Sequence, residues 1–471
     1  MAGASIVHRL TIPLTFPAGI SPGAGKDEGN RLVLSVDGRG RPVLRGTAVA
    51  GVLRHAWARH VGIVSANDPR LEERFGGPCE GERGADRPSP LRVQDVLLDP
   101  GRGGVELRHH NSIDRHTGAV RKGGLFSLDS LPPGTSGALR LSFHEDAPWA
   151  REFLAEIVGL LEAGLVLGGH GARGVGLARR VGDARVERFD LKSIEGLGRW
   201  LDASRSERSE NGTPPATGDS LSPATTSDVL RVELTLGIPR GQDICIGDGQ
   251  GLDHVLEPQS VLCADGKQRF RIPGSSLRGV LRAWITRLAA RDGHAVADSH
   301  AEFRKRGPVA GDEVAWSFAS AEERESIQDD LESGAATIEQ RISCPILQLF
   351  GSLYGTGRIH IQDAISIEEH AEKHLQSRKH VSVDRITGGA NEGFLFDHQA
   401  LLAGVKFPVT IVVREPKAEE AQWLADALRA LEMGVLRIGT SKSSGRLALV
   451  GPVKARGPHA QTFESLVPRE V

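Results

Sequence analysis

DRHTGAVRKGGLF begins at Asp114, and DRITGGANEGFLF begins at Asp384. Adding 270 carries Asp114, Arg115, Thr117, Gly118, Leu125 and Phe126 onto Asp384, Arg385, Thr387, Gly388, Leu395 and Phe396. The same step carries Leu161, Glu162 and Gly164 onto Leu431, Glu432 and Gly434. A step of 228 carries RGTAVAGVLR (45–54) onto PGSSLRGVLR (273–282). Register kept over such spans means two copies of one domain. Whatever fold the chain adopts, it adopts it twice.

The 471 residues give each half enough chain for its own core. Residues 203–228 read as a linker, rich in Ser, Thr, Pro and Gly and poor in large apolar residues. They separate a first domain, 1–202, from a second, 229–471, which carries a polar, charged insertion at about 290–340. Each copy opens on a strand, IVHRLTIPLTF or VLRVELTLGI. A Gly-rich loop follows, then a helix. Thr47 is the expected cap of the first helix, with Val49, Val52, Leu53, Ala56 and Trp57 at helical spacing. Ser275 or Ser276 is the expected cap of its counterpart, with Leu277, Val280, Leu281, Trp284, Ile285 and Leu288 on one face. After the DRxTG block comes a second amphipathic helix: Phe153, Leu154, Ile157, Val158 and Leu161, then Trp423, Leu424, Ala427, Leu428 and Leu431. A Gly-rich turn and a strand close each copy. That order predicts an α+β fold, two tandem ferredoxin-like (RRM-like) sandwiches.

Lys plus Arg is 58 and Asp plus Glu is 60, so no global basic field exists and any nucleic-acid site must be local. Aromatic residues make up 4%, with Tyr354 the single tyrosine, which counts against binding by serial base stacking. Cys79, Cys245, Cys263 and Cys344 form no CxxC pair, so neither a disulfide framework nor a four-ligand zinc site is expected. The start lacks a basic stretch before a long apolar core, and no run of 18 apolar residues occurs. A soluble cytoplasmic protein without a membrane partner is the expectation.

Four features carry possible chemistry. The helix starts put Gly46 and Thr47, and Gly274, Ser275 and Ser276, where free backbone N–H groups can hold a phosphate. Arg54 follows in the first copy; Arg278 and Arg282, four apart, share a face in the second. The plainer reading is a tight turn, a cap and solvated arginines. The loops GGHGARGVG (168–176) and GTSKSSGR (439–446) allow close backbone approach, with charge from Arg173, Lys442 and Arg446, but neither matches GxxxxGK[ST]. In DRxTG, adjacent Asp and Arg on a strand would face opposite sides, and the following residues read as an exposed excursion with an apolar LF tip. A plain hairpin with an ion pair explains it equally well. Last, GQDICIGDGQGLDHVLEP (241–258) gathers Asp243, Asp248 and Asp253; the first copy has Asp27 and Glu28 in its corresponding loop. A carboxylate beside a phosphodiester can orient a divalent metal. His109, His110 and His170 are candidates for acid–base work, although HEXXH and Ser-His-Asp patterns are missing.

Taken in order, IGDGQGLDHVLEP, RIPGSSLRGVLR, CPILQLFGSLYGTGRIHIQDA, SVDRITGGANEGFLF and RIGTSKSSGR resemble the RAMP superfamily. Within it they are similar to the repeated backbone subunit of type III CRISPR–Cas effector complexes. The likeness runs through nearly all of 229–455; RGTAVAGVLR, FGG, RVQD, SIDRHTG and GLFSLDSLPPGT give a more diverged match over 1–200. The whole chain resembles a fusion of two such subunits, as in the type III-D branch. The resemblance implies an RRM-like core with a thumb β-hairpin, the excursions 114–131 and 384–401. It implies CRISPR RNA held by phosphates and sugars, target RNA paired to it, and other Cas subunits as partners. Asp114, Arg115, Lys122, Asp384 and Arg385 fall in the thumbs, so they join the helix-start and Gly-loop residues as RNA contacts. It further implies guide-directed endonuclease activity on target RNA, with Asp253 as catalytic residue and Mg or Mn as cofactor. In the first copy that register falls on Asn30, with Asp27 three residues away as a substitute, so cleavage is assigned to the second domain. A zinc cluster known in other members is not carried over, because only Cys344 stands near its position. The alternatives are a non-catalytic structural guide-binding subunit and a stand-alone nucleotide-binding enzyme.

Overall fold

A computed structural model of the chain describes residues 6–26, 31–63, 65, 68–77, 88–113, 120–144, 147–206, 218–225, 228–247, 255–296, 344–351, 356–384, 386–439 and 444–466. In chain order its elements are β1 (Ile6–Phe16), β2 (Gly23–Lys26), β3 (Leu32–Leu34), β4 (Val43–Leu44), α1 (Gly46–His60), α2 (Pro69–Phe75), β5 (Leu91–Val93), β6 (Val96–Asp99), β7 (Glu106–Ile113), β8 (Val120–Ser130), β9 (Thr135–Phe143), α3 (Ala150–Gly164), β10 (Arg179–Arg180), β11 (Arg185–Asp190), α4 (Ile194–Ser206) and β12 (Asp219–Ser220). The second copy follows with β13 (Val229–Gly237), β14 (Asp243–Ile244), β15 (Val255–Leu256), β16 (Ser260–Leu262), β17 (Gln268–Ile272), α5 (Gly274–Arg291), α6 (Pro345–Phe350), β18 (Ile359–Ile361), β19 (Ala364–Glu369), β20 (Leu375–Val383), β21 (Ala390–Leu402), β22 (Lys406–Arg414), α7 (Ala418–Glu432), β23 (Ala448–Leu449) and β24 (Lys454–Arg456).

Two compact units result. One comprises residues 1–105, 129–171 and 176–229; the other comprises 106–128, 172–175 and 230–471. The first unit is built on an antiparallel sheet in the order β12-β11-β1-β9-β6-β4, with β10 also against β1 and β5 against β9. β1 lies at its centre, with Leu10 opposite Leu141 on one side and Val186 on the other. The apolar stripes of α1 and α3 close over it: Val49, Leu53 and Trp57 meet Phe153, Leu154 and Ile157 in one core. Trp57 and Phe153 pack edge to face, 5.6 Å between ring centroids. Val52 and Ala56, on the stripe's margin, are only partly buried. In the second unit β13 sits between β22 and β23, with β18 beyond β22. Here Leu277, Leu281 and Ile285 of α5 pack with Trp423, Leu424 and Leu428 of α7. Strand–helix–strands–helix–strand is thus realised twice, as the periodicity required.

The structure differs from the sequence expectation in three local respects. Neither Thr47 nor a serine caps its helix: the N-caps are Arg45 and Pro273, without side-chain caps of their own. A remote carboxylate does that work, as described below. The 203–228 stretch is not all connector. Its Asp219–Ser220 strand pairs with β11, Leu221 is buried, and the Ala224 amide donates to the Ala155 carbonyl. Nor does the hairpin begin at Asp384. Its first arm is β20, which ends at Val383, and Asp384 stands in the turn beyond it. In the first copy, β7 likewise precedes Asp114. Asp114 itself lies outside the described residues, as does the insertion between 297 and 343.

Candidate nucleic-acid interface

Three features recur in both copies: the N-terminus of α1 or α5, an aspartate just after a short strand that accepts from the first helix amide, and a Gly-rich loop; each copy also has a hairpin, that of the first copy lying in the second unit.

The carboxylate is the piece that local sequence rules missed. The Gly46 amide donates to Asp95 Oδ1 at 2.7 Å, and the Gly274 amide donates to Asp363 Oδ1 at 2.7 Å. An acceptor at the positive end of a helix is favourable, whatever its distance in the chain. The glycine is obligatory for a second reason: a Cβ on Gly46 would lie 2.2 Å from the Val93 carbonyl oxygen, and one on Gly274 would lie 2.3 Å from that of Ile361. Helix start and strand touch through backbone. One of the amides expected for phosphate is therefore already used in each copy. The next two, of exposed Thr47 and Ala48 in the first, belong to those a helix leaves unpaired internally.

The Gly-rich loops repeat just as closely. The Gly176 amide donates to the Gly19 carbonyl at 2.9 Å, and the Gly445 amide donates to the Asp243 carbonyl at 2.8 Å. Gly176 and Gly445 have φ of 88° and 92°, and a Cβ on either would meet a carbonyl oxygen at 2.3 or 2.0 Å. In the first unit this loop and α1 border a cavity of about 260 Å³, lined by Ser35, Arg45, Ala48, Gly168 and Gly169 among others. Arg446 turns away from its loop: a Cβ on Gly434 would lie 2.8 Å from Arg446 Nε. Lys442 lies outside the described residues.

The arginines divide into anchors and exposed charge. Arg54 donates to the Gly76 carbonyl at 3.2 Å. Arg278 donates to the Ile359 carbonyl at 2.8 Å and to the Phe350 carbonyl. Both tie their helix to the turn after a phenylalanine, so Arg278 is not the solvated side chain that its spacing suggested. Arg282 lies near the Phe350 ring, 5.9 Å from its centroid. Around the start of α5, within the second unit, Arg108 pairs with Asp363 at 2.7 Å and Arg271 with Glu106 at 2.7 Å. Arg173 stacks on Phe126, 4.4 Å from the ring centroid, and Phe126 stacks in turn on His110. Burial pushes the Arg173 guanidinium down, and the charge of Arg108 adds to that. Burial also pushes Arg278 down, to about 10, with Arg173 contributing the second repulsion. Four guanidinium groups thus gather around two carboxylates, which pair with Arg108 and Arg271. Arg173 has no carboxylate partner among the described residues.

In the second copy Asp384, Ile386, Thr387 and Gly388 form a turn. Asp384 Oδ1 accepts from the Ile386 amide at 2.9 Å, the Thr387 amide at 2.7 Å and Thr387 Oγ1 at 3.0 Å. Gly388 supplies the left-handed residue, φ 69°. Those donors hold the Asp384 carboxyl below its usual range. With its side chain so used, Asp384 shapes the tip and leaves Ile386, 94% exposed, projecting from it. Sequence reading looked for the apolar tip at the LF pairs. Phe126 instead packs at the hairpin's base; the side chains of Leu125, Leu395, Phe396 and Lys122 lie outside the described residues, as do Arg115 and Arg385 altogether.

Asp253, Asp248, Asp27 and Asn30 also fall outside the described residues. Among the described residues no three His, Cys, Asp or Glu side chains gather as a metal site. No described helix is long and apolar enough to cross a membrane.

A model of the RAMP superfamily matches residues 10–179 and 262–446, most of both copies. The chain belongs to the RAMP superfamily. No curated protein matches it. The two matched stretches of this RAMP protein begin inside β1 and at the end of β16; the first ends at the start of β10 and the second at Arg446, beside Gly445. Each match therefore takes in the helix start, its carboxylate and the hairpin.

Proposed function

We propose that this RAMP protein is the guide-binding backbone subunit of a type III CRISPR–Cas effector complex, of the fused type III-D kind, working beside other Cas subunits. The carrying observation is the cationic cluster at the start of α5, where Arg108 and Arg271 are paired with Asp363 and Glu106 and, among the described residues, neither Arg173 nor Arg278 has a carboxylate partner. A half-buried group of like charges is costly unless an anion joins it. The helix start supplies further donors for that anion. A phosphate of the CRISPR RNA fits, because such contacts are independent of base identity. The exposed Ile386 tip suits a wedge between bases of the guide–target duplex. A nearly neutral chain is no obstacle when the charge is concentrated.

We assign target-RNA cleavage to the second repeat, with Asp253 as its catalytic residue in the loop ahead of α5. Mg or Mn bound there would offset charge on the scissile phosphate; among the described residues no ligand set for it gathers. Two measurements test the assignments separately. RNA that travels with the purified native protein should consist of short species with a uniform 5′ end; a bound mononucleotide instead would sink the guide-binding reading. The assembled complex carrying Asp253→Ala should keep its guide and lose one set of target cuts. Undiminished cutting at every position would leave a purely structural subunit.

A further inference from the structure

The two repeats carry the same ion-pair device and satisfy it in different ways. In the second unit Asp363 gives one oxygen to the Gly274 amide and the other to Arg108 on β7. The pair is buried, 3% and 0% exposed. Glu106 on the same strand meets Arg271, and the Asp363 amide donates to the Gly174 carbonyl at 2.8 Å. Sequence from the first repeat is thus seated against a helix start of the second. Repetition leaves two matching halves over. Asp95 is the counterpart of Asp363, and Arg378 on β20 is the counterpart of Arg108, 270 residues on. A second copy of the chain that brought its Arg378 to this Asp95 would continue the pattern head to tail, and nothing in such a contact closes.

Both leftover halves are plugged from within. Asp95 already holds the Gly46 amide and, at 2.9 Å, Arg45 Nη1. Arg45 is steadied by Ser35 Oγ at 3.2 Å and the Val36 carbonyl at 2.9 Å. The second repeat has Pro273 in that place, with the same backbone (φ −61°, ψ 132° against −62°, 131°) and no charge. At the other end Arg378 is paired with Asp243. The first repeat has Gly19 there; the amides of Gly176 and Gly445 fix the equivalence. A Cβ on Gly19 would lie 2.2 Å from the Leu131 carbonyl oxygen, so no carboxylate can stand in that position. Each plug occurs only in the repeat whose half has no mate in the chain.

We infer that Arg45 and Asp243 are internal plugs that withhold the Asp95 and Arg378 surfaces from a second copy of this chain. An incoming arginine must displace a tethered competitor, whose effective concentration is of millimolar order. The device keeps the free protein from stringing into open chains. It does not depend on RNA binding, and it is tested on RNA-free full-length protein. Asp243→Gly frees Arg378, and Arg45→Pro frees Asp95; each installs the other repeat's residue. Light scattering after gel filtration should give one-chain mass for the wild type and for each variant alone. Their mixture should give two-chain mass, lost on adding Arg378→Ala to the first variant or on raising salt. The variant with both plugs removed should grow with concentration. Arg45→Gln and Asp243→Asn, which remove the charge and leave the backbone residue type ordinary, serve if either replacement misfolds. Folded partners that stay at one-chain mass when mixed would overturn the inference. So would wild-type protein whose self-association disappears with Arg378→Ala.

Discussion

Asp95 and Asp363 cap equivalent helices at different depths, and depth decides what each is worth. Arg45 and Asp95 are each about half exposed, whereas Arg108 and Asp363 are sealed. Asp363→Ala strands a buried guanidinium and an amide together, so it should cost the second unit about 3–5 kcal/mol. Asp95→Ala loses a cap and a solvent-screened pair, about 1–2 kcal/mol. Urea unfolding of the two variants should rank them in that order, and equal losses would contradict the burial argument. Asp384 answers to pH instead. Backbone donors depress its folded pKa, so its stabilisation of the turn is complete above the ordinary carboxylate value of about 4 and disappears as pH falls through the folded value. Amide exchange at Ile386 and Thr387 should therefore accelerate in acid, and Asp384→Asn should flatten that pH dependence.

At the scale of elements, glycines separate conformation from crowding. Gly388 has φ 69° with open space around a would-be Cβ, so Gly388→Ala should cost only the left-handed penalty, about 1–2 kcal/mol. Gly445, at φ 92°, faces the Ile438 carbonyl oxygen at 2.0 Å. Gly445→Ala must push two backbone segments apart, and its thermal unfolding should be lowered well beyond that of Gly388→Ala. The sequence made the helix faces legible because packing obeys a 3.6-residue period: Leu277, Leu281, Ile285 and Leu288 were spaced for the core and are in it. The caps were hidden because Asp95 and Gly46 are 49 residues apart, and Arg108 and Asp363 are 255 apart. No window rule spans such distances. The repeat could have disclosed them, since QD recurs at 94–95 and 362–363, each time just after a short strand. Arg278 misled for a related reason. Its helical spacing was right, but a guanidinium at that position finds two orphan carbonyls before it finds solvent.

At the scale of the whole molecule, a net charge of −2 coexists with a concentrated cationic cluster, and that contrast determines how affinity must respond to salt. Only local arginines release counterions from a single-stranded guide, and each phosphate contact contributes about 0.7 to the slope of log affinity against log salt. Arg173 has no carboxylate partner among the described residues, so its charge is not already neutralised by an ion pair. Arg173→Ala should weaken binding of unrelated guide sequences by the same factor and reduce the slope by about 0.7. Arg108→Ala should behave differently, because that side chain is committed to Asp363: it should destabilise the second unit while changing the slope less. Filter binding of two guides of unrelated sequence across a salt series separates these cases. A loss confined to one guide would mean that Arg173 reads bases, and a slope unchanged by Arg173→Ala would remove the cluster from the RNA path altogether.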